Sequence, residues 1–91
     1  MVVIAVARIP PNSVDDFVTY ERVVFALLPD HGGTLERRFR SADGATELHI
    51  VRFPSHEAFA AYRADPRRPN MPPPATFDIY ELEEAPVSDL L

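Results

Sequence analysis

The chain has no cysteine, no tryptophan and no lysine. Without cysteine there is no disulfide, no thiolate zinc site and no thiol nucleophile, which fits a reducing compartment and an expected cytoplasmic location. Without lysine, all nine basic residues are arginine; fourteen acidic residues leave a net charge of −5. That balance disfavours binding to a nucleic-acid backbone, and no nucleic-acid partner is expected. Long apolar runs are missing too. Met1 to Ala7 is apolar but short, has no basic leader and ends at Arg8, so neither a signal peptide nor a membrane association is expected.

Ninety-one residues make one domain, 1–91, with a core at about 2–82 and an acidic tail at 83–91. Residues 2–9 are apolar at almost every position, the pattern of a strand covered on both faces. Pro10-Pro11-Asn12 breaks it, and Asn12 or Ser13 can cap a helix from about Val14 to Leu28. In that helix Phe17, Tyr20, Val24, Leu27 and Leu28 follow helical spacing, and Pro29 ends it. Asp30-His31-Gly32-Gly33 reads as a turn. Thr34 to Arg40 reads as a strand with Leu35, Arg37 and Phe39 on one face, followed by an Asp43-Gly44 hairpin. Thr46 to Phe53 is a third strand. Ser55 caps a second helix to about Ala64, and Asp65-Pro66 ends it. Residues 66–74 hold five of the ten prolines and read as an extended linker, with Arg67-Arg68 in a solvated loop. Thr76 to Leu82 is the last strand. The order β-α-β-β-α-β predicts an α+β, ferredoxin-like domain: a four-stranded antiparallel sheet in order 4-1-3-2 with both helices on one face.

Two helices cover one face of such a sheet, yet the first and third strands are apolar on both. The expected solution is a homodimer packed sheet to sheet. The arginines of the second strand and the carboxylates of Asp78, Glu81, Glu83 and Glu84 would lie at opposite edges, placed to pair across a two-fold axis.

Tyr20-Glu21-Arg22, His31-Gly32-Gly33, Glu47 to Ser55 and Ala58-Phe59-Ala60-Ala61-Tyr62 together resemble a small bacterial domain-of-unknown-function family. That family belongs to the dimeric α/β barrel superfamily, with the antibiotic-biosynthesis monooxygenases as kin. The resemblance implies a homodimer of ferredoxin-like protomers with a pocket between helices and sheet. It implies no single activity, since the superfamily hosts monooxygenases, isomerases, haem-degrading enzymes and stress proteins. Two departures stand out: cofactor-free monooxygenases of the superfamily commonly use Asn, Trp and Tyr, while this chain has no Trp and keeps Asn12 and Asn70 in loops. The axial histidine of haem-degrading relatives cannot be assigned by motif.

Among chemically capable residues, His49 sits mid-strand on the same face as Val51. It is either a general acid/base or a histidine satisfied by a protein partner. Arg37, on an apolar strand face, needs an anion from the protein or from a ligand. Tyr20 lies on the apolar helix stripe, as a pocket wall or core residue. Tyr80 on the last strand is expected to point into the same barrel. His31 is either a helix-end cation or a pocket residue. The three histidines have no zinc spacing, and no cofactor is expected. Two readings result: a cofactor-independent monooxygenase or isomerase acting on a hydrophobic or anionic small molecule, with His49 catalytic, or a non-catalytic small-molecule-binding or stress-response homodimer.

Overall fold

A computed structural model describes residues 1–91. Four strands, β1 (Val2–Arg8), β2 (Thr34–Arg40), β3 (Thr46–Arg52) and β4 (Thr76–Leu82), form one antiparallel sheet in the order β2-β3-β1-β4. This is the predicted topology. Helices α1 (Val14–Phe25) and α2 (His56–Arg63) both pack on the same face, here the inner face. No helix is long and apolar enough to cross a membrane.

Strict alternation along β1 and β3 decides what the helices meet. Val3, Ala5 and Ala7 oppose Val51, His49 and Glu47, and all six are buried. Two apolar clusters cover them: Val3 and Val51 with Leu27, Leu28, Phe53, Phe59 and Tyr62, and Ala7 with Ile9, Phe17 and Ala75. The other residues of the same strands, Ile4, Val6, Leu48 and Ile50, face outward and are only half-buried.

Helix α1 stops at Phe25, earlier than the apolar pattern suggests, and Leu28–His31 continues as a short 3-10 turn. Pro29 disfavours α-geometry at Leu28, and the tighter turn ends at Gly32 in the left-handed region, φ 69°. Gly33 serves a different need. A Cβ there would stand 2.8 Å from Leu28 Cδ2 and 2.9 Å from Phe53 Cε1. The Gly-Gly turn thus packs directly beneath Phe53-Pro54. Ser55 caps α2 as expected, its hydroxyl accepting from the Ala58 N–H at 3.0 Å. Ser13 occupies the N-cap of α1 but its side chain makes no capping bond. Within the acidic tail, Val87–Leu90 forms a further 3-10 turn.

One expectation is overturned. Leu35, Arg37 and Phe39 do not share a face, because a bulge between Leu35 and Arg37 shifts the register. Leu35 opposes Val51 on the inner face, whereas Arg37 opposes Ile50 and Phe39 opposes Leu48 on the outer face. The extra residue also turns Arg38 and Arg40 inward, opposite His49 and Glu47.

Candidate functional site

Between α1, α2 and the inner face of the sheet lies a cavity of about 330 Å³. Its wall is mostly apolar, with Val24, Phe25, Phe59 and Phe77 among the contributors. That volume is at the small end of the roughly 300–1,000 Å³ typical of ligand pockets. The polar groups on it are few: Tyr20 and Glu21 from α1, His49 from β3, Tyr62 and Arg63 from α2, and Arg68 from the proline-rich segment.

His49 is 1% exposed, and its Nε2 lies 2.9 Å from Glu47 Oε1. Because β3 alternates, these two side chains emerge on the same face. Glu47, also 1% exposed, is held in turn by Arg38, which donates from Nε and Nη2, and by Arg40, whose Nε is 2.9 Å from Oε2. Burial alone would raise the Glu47 carboxyl. Hydrogen bonds from Arg38, His49 and Arg40 outweigh it and hold the pKa at about 2. Glu47 is therefore an anion at neutral pH and an acceptor, which assigns the imidazole proton to Nε2. Nδ1 is left as a lone-pair site, with no hydrogen bond to protein. Burial pushes the His49 pKa down, against the pull of Glu47, so the ring is neutral near pH 7. Phe17 stacks on it at 6.2 Å between centroids, and Phe25 meets it edge-on at 5.0 Å.

Glu21 is the second titratable group of the cavity and is 8% exposed. Burial, reinforced by the Glu47 charge and opposed by Arg68 and Arg38, raises its pKa to about 7. A carboxyl so placed exchanges its proton near neutrality, as a general acid or base must. Tyr62 closes one side of the cavity, its hydroxyl donating to the Val24 carbonyl at 3.0 Å and so tying α2 to α1. Burial pushes this phenol up to about 12. No group of three histidine or carboxylate side chains is placed to hold a metal ion.

The structure brings His49 and Tyr20 to the cavity and leaves the other three candidates elsewhere. Arg37 lies on the outer face, its guanidinium 4.8 Å from the centroid of Phe39, because of the β2 bulge. Tyr80 opposes Ile4 on the outer face and is half exposed. His31 is bonded to Asp65, Nε2 to Oδ2 at 2.8 Å, and pins the 3-10 turn to the end of α2. Arg67 and Arg68 do not act alike in a solvated loop. Arg67 pairs with Asp65 and Asp30, while Arg68 turns into the cavity.

Glu21, Glu47 and Arg68 are the polar groups that sequence reasoning passed over. A signal existed for two of them. Glu21 falls at the helical step between Phe17 and Val24, on the buried stripe. Glu47 falls two residues before His49, on the same strand face. For Arg68, in a segment without regular structure, the sequence offers no periodicity.

No protein-family model matches the chain, and no curated protein matches it. Solved structures do match it along nearly its whole length. An uncharacterised NIPSNAP domain protein from Burkholderia xenovorans superposes with a TM-score of 0.64 at 18% identity, over 96% of this chain and 97% of that one. An antibiotic biosynthesis monooxygenase-like protein from Nitrosomonas europaea gives 0.63 at 15% identity, over 88% and 95%. A further antibiotic biosynthesis monooxygenase structure gives 0.64 at 14% identity, over 92% and 100%. The chain has the fold these proteins share, a ferredoxin-like α+β domain with a four-stranded antiparallel sheet. At these identities the likeness is one of fold alone.

Proposed function

We propose that the protein binds a small, largely apolar molecule between the helices and the sheet and moves a proton on it. One observation carries this reading: Glu21 and His49, both buried and both titratable, border the same apolar cavity, with Glu47 behind His49 as its hydrogen-bond partner. Glu21, with a pKa of about 7, exchanges the proton, and neutral His49 accepts a hydrogen bond or proton at Nδ1. Glu47 fixes the ring tautomer and stabilises the imidazolium if it forms. Removing a proton from an acidic C–H leaves an electron pair delocalised as an enolate. Returning the proton at a different carbon is an isomerisation. Passing the electrons to dioxygen is the opening of a cofactor-independent monooxygenation, and two fold neighbours are antibiotic biosynthesis monooxygenases by name.

The protein works in this reading as a homodimer. The outer face carries Ile4, Val6, Leu48 and Ile50 half-buried and Phe39, Tyr80 and Leu82 exposed, an apolar surface that a second copy would cover. Arg37 and Tyr80 belong to that face.

A second reading, a non-catalytic small-molecule-binding dimer, is favoured by the degree to which His49 is already satisfied, bonded by Glu47 and flanked by Phe17 and Phe25. A thermal-shift screen of aromatic and polyketide-like compounds identifies binders. Proton NMR in D2O then follows exchange of their acidic C–H. Enzyme-dependent exchange that is lost in Glu21→Gln and His49→Gln supports proton transfer. Binding without catalysed exchange selects the non-catalytic reading.

A further inference from the structure

We propose that the occupant of this cavity is an organic anion, with an apolar body against the phenylalanines and a carboxylate received by Arg68. The inference rests on the reading that the cavity holds a ligand, and it adds the ligand's charge and its anchor.

Five of the nine arginines already have acidic partners. Arg8 pairs with Asp78, Arg38 and Arg40 with Glu47, Arg52 with Glu36, and Arg67 with Asp65 and Asp30. Of the other four, Arg22 and Arg37 lie away from the cavity, and Arg63 and Arg68 line it. In a chain of net charge −5, two cations without carboxylate partners therefore meet at the apolar cavity between the helices and the sheet. Arg63 is exposed and rests over Phe59, 5.6 Å from its centroid. Arg68 goes further in. Its Nη1 is buried and has no hydrogen-bond partner, and it is the one buried side-chain nitrogen or oxygen left so in the protein. A buried guanidinium donor without an acceptor loses its hydration with nothing in return, a cost that a bound anion removes.

The arrangement is built. Asp65, at the end of α2, accepts from His31, from the Arg67 backbone N–H at 2.9 Å and from the Arg67 guanidinium. Its carbonyl accepts from the Arg68 N–H at 3.1 Å. The chain is thereby fixed on both sides of the Arg67–Arg68 bond, so Arg67 turns out to Asp30 and Arg68 turns in. The Arg68 guanidinium lies 4.8 Å from the centroid of Tyr62, a contact that holds its plane while leaving Nη1 free. The planar fork suits a carboxylate better than a point acceptor. Glu21, on the same wall, does not bond to Arg68, and a ligand carboxylate at Arg68 would bring its carbon skeleton alongside Glu21 and His49.

The test uses a matched pair of probes, 2-naphthoate and 2-naphthamide, with affinity measured by calorimetry. The wild-type protein is expected to prefer the acid by about tenfold or more, the scale of a charge-assisted hydrogen bond. Arg68→Gln is expected to erase that preference while still binding the amide, and Arg68→Lys to restore it only in part. Circular dichroism checks that each variant is folded. Equal binding of acid and amide by the wild type, or an unchanged preference in Arg68→Gln, would overturn the anion inference and leave the cavity reading standing. If neither probe binds at millimolar concentration, both readings fall.

Discussion

His49 Nε2 and Glu47 Oε1 are 2.9 Å apart on adjacent inward positions of one strand, and the edge strand supplies two arginines to the same carboxylate. The pair is a local consequence of strand alternation. Its charge state is a consequence of the register shift that turns Arg38 and Arg40 inward. The imidazole pKa follows from both. Followed by NMR, the His49 ring is expected to titrate below the ordinary histidine value. In Glu47→Gln it is expected to titrate lower still, because the carboxylate that favours the imidazolium is gone. A His49 titration at or above the ordinary value would sink the assignment of a neutral ring.

Glu47 and Glu21 push the pH dependence of stability in opposite directions. The Glu47 pKa is depressed to about 2, so its contribution is present above the unfolded value near 4.5 and is lost as pH falls toward 2. His49, depressed by burial, likewise costs stability as pH falls below the unfolded value near 6.5. Glu21 is raised to about 7, so its contribution is present below pH 4.5 and is lost as pH rises through 7. Glu21→Gln is therefore expected to stabilise the protein at pH 8 by up to about 3 kcal/mol, with the gain vanishing near pH 4. Urea denaturation at the two pH values measures it; a gain independent of pH would contradict the burial argument.

Gly33 is required for space. Gly33→Ala places a methyl group against Leu28 and Phe53, both of them buried, at distances of 2.8 and 2.9 Å. The expected loss is about 1–3 kcal/mol, read from the urea midpoint. A variant as stable as the wild type would mean that the turn can shift without cost.

The outer face of the sheet gives a prediction about assembly. Ile4 is at its centre, opposite Ile50 on one neighbour and Tyr80 on the other. Ile4→Asp would bury a charge in a sheet-to-sheet dimer but leave the inner core untouched. Sedimentation is expected to show a dimer for the wild type and a monomer for the variant. A monomeric wild type at micromolar concentration would remove the dimer from the proposal.

Several elements of this protein follow from the sequence alone. The apolar strands at 2–9 and 46–53, the Ser55 cap, the Asp43-Gly44 hairpin and the prolines at 29 and 54 specify β-α-β-β-α-β. Right-handed crossovers then leave one sheet order. That His49 shares a face with Val51 is legible too, because side-chain direction in a strand has a period of two residues. What the sequence does not carry is anything that depends on a break in that period or on segments distant in the chain. A single bulged residue between Leu35 and Arg37 moves Arg37 to the outer face and brings Arg38 and Arg40 onto Glu47. A hydrogen bond from His31 to Asp65, thirty-four residues apart, turns a candidate ligand residue into an anchor. The proline-rich segment, which has no periodicity, delivers Arg68 to the cavity. Local propensity and patterning decide the elements and their faces; long-range packing decides which charged groups meet, and with them the chemistry of the cavity.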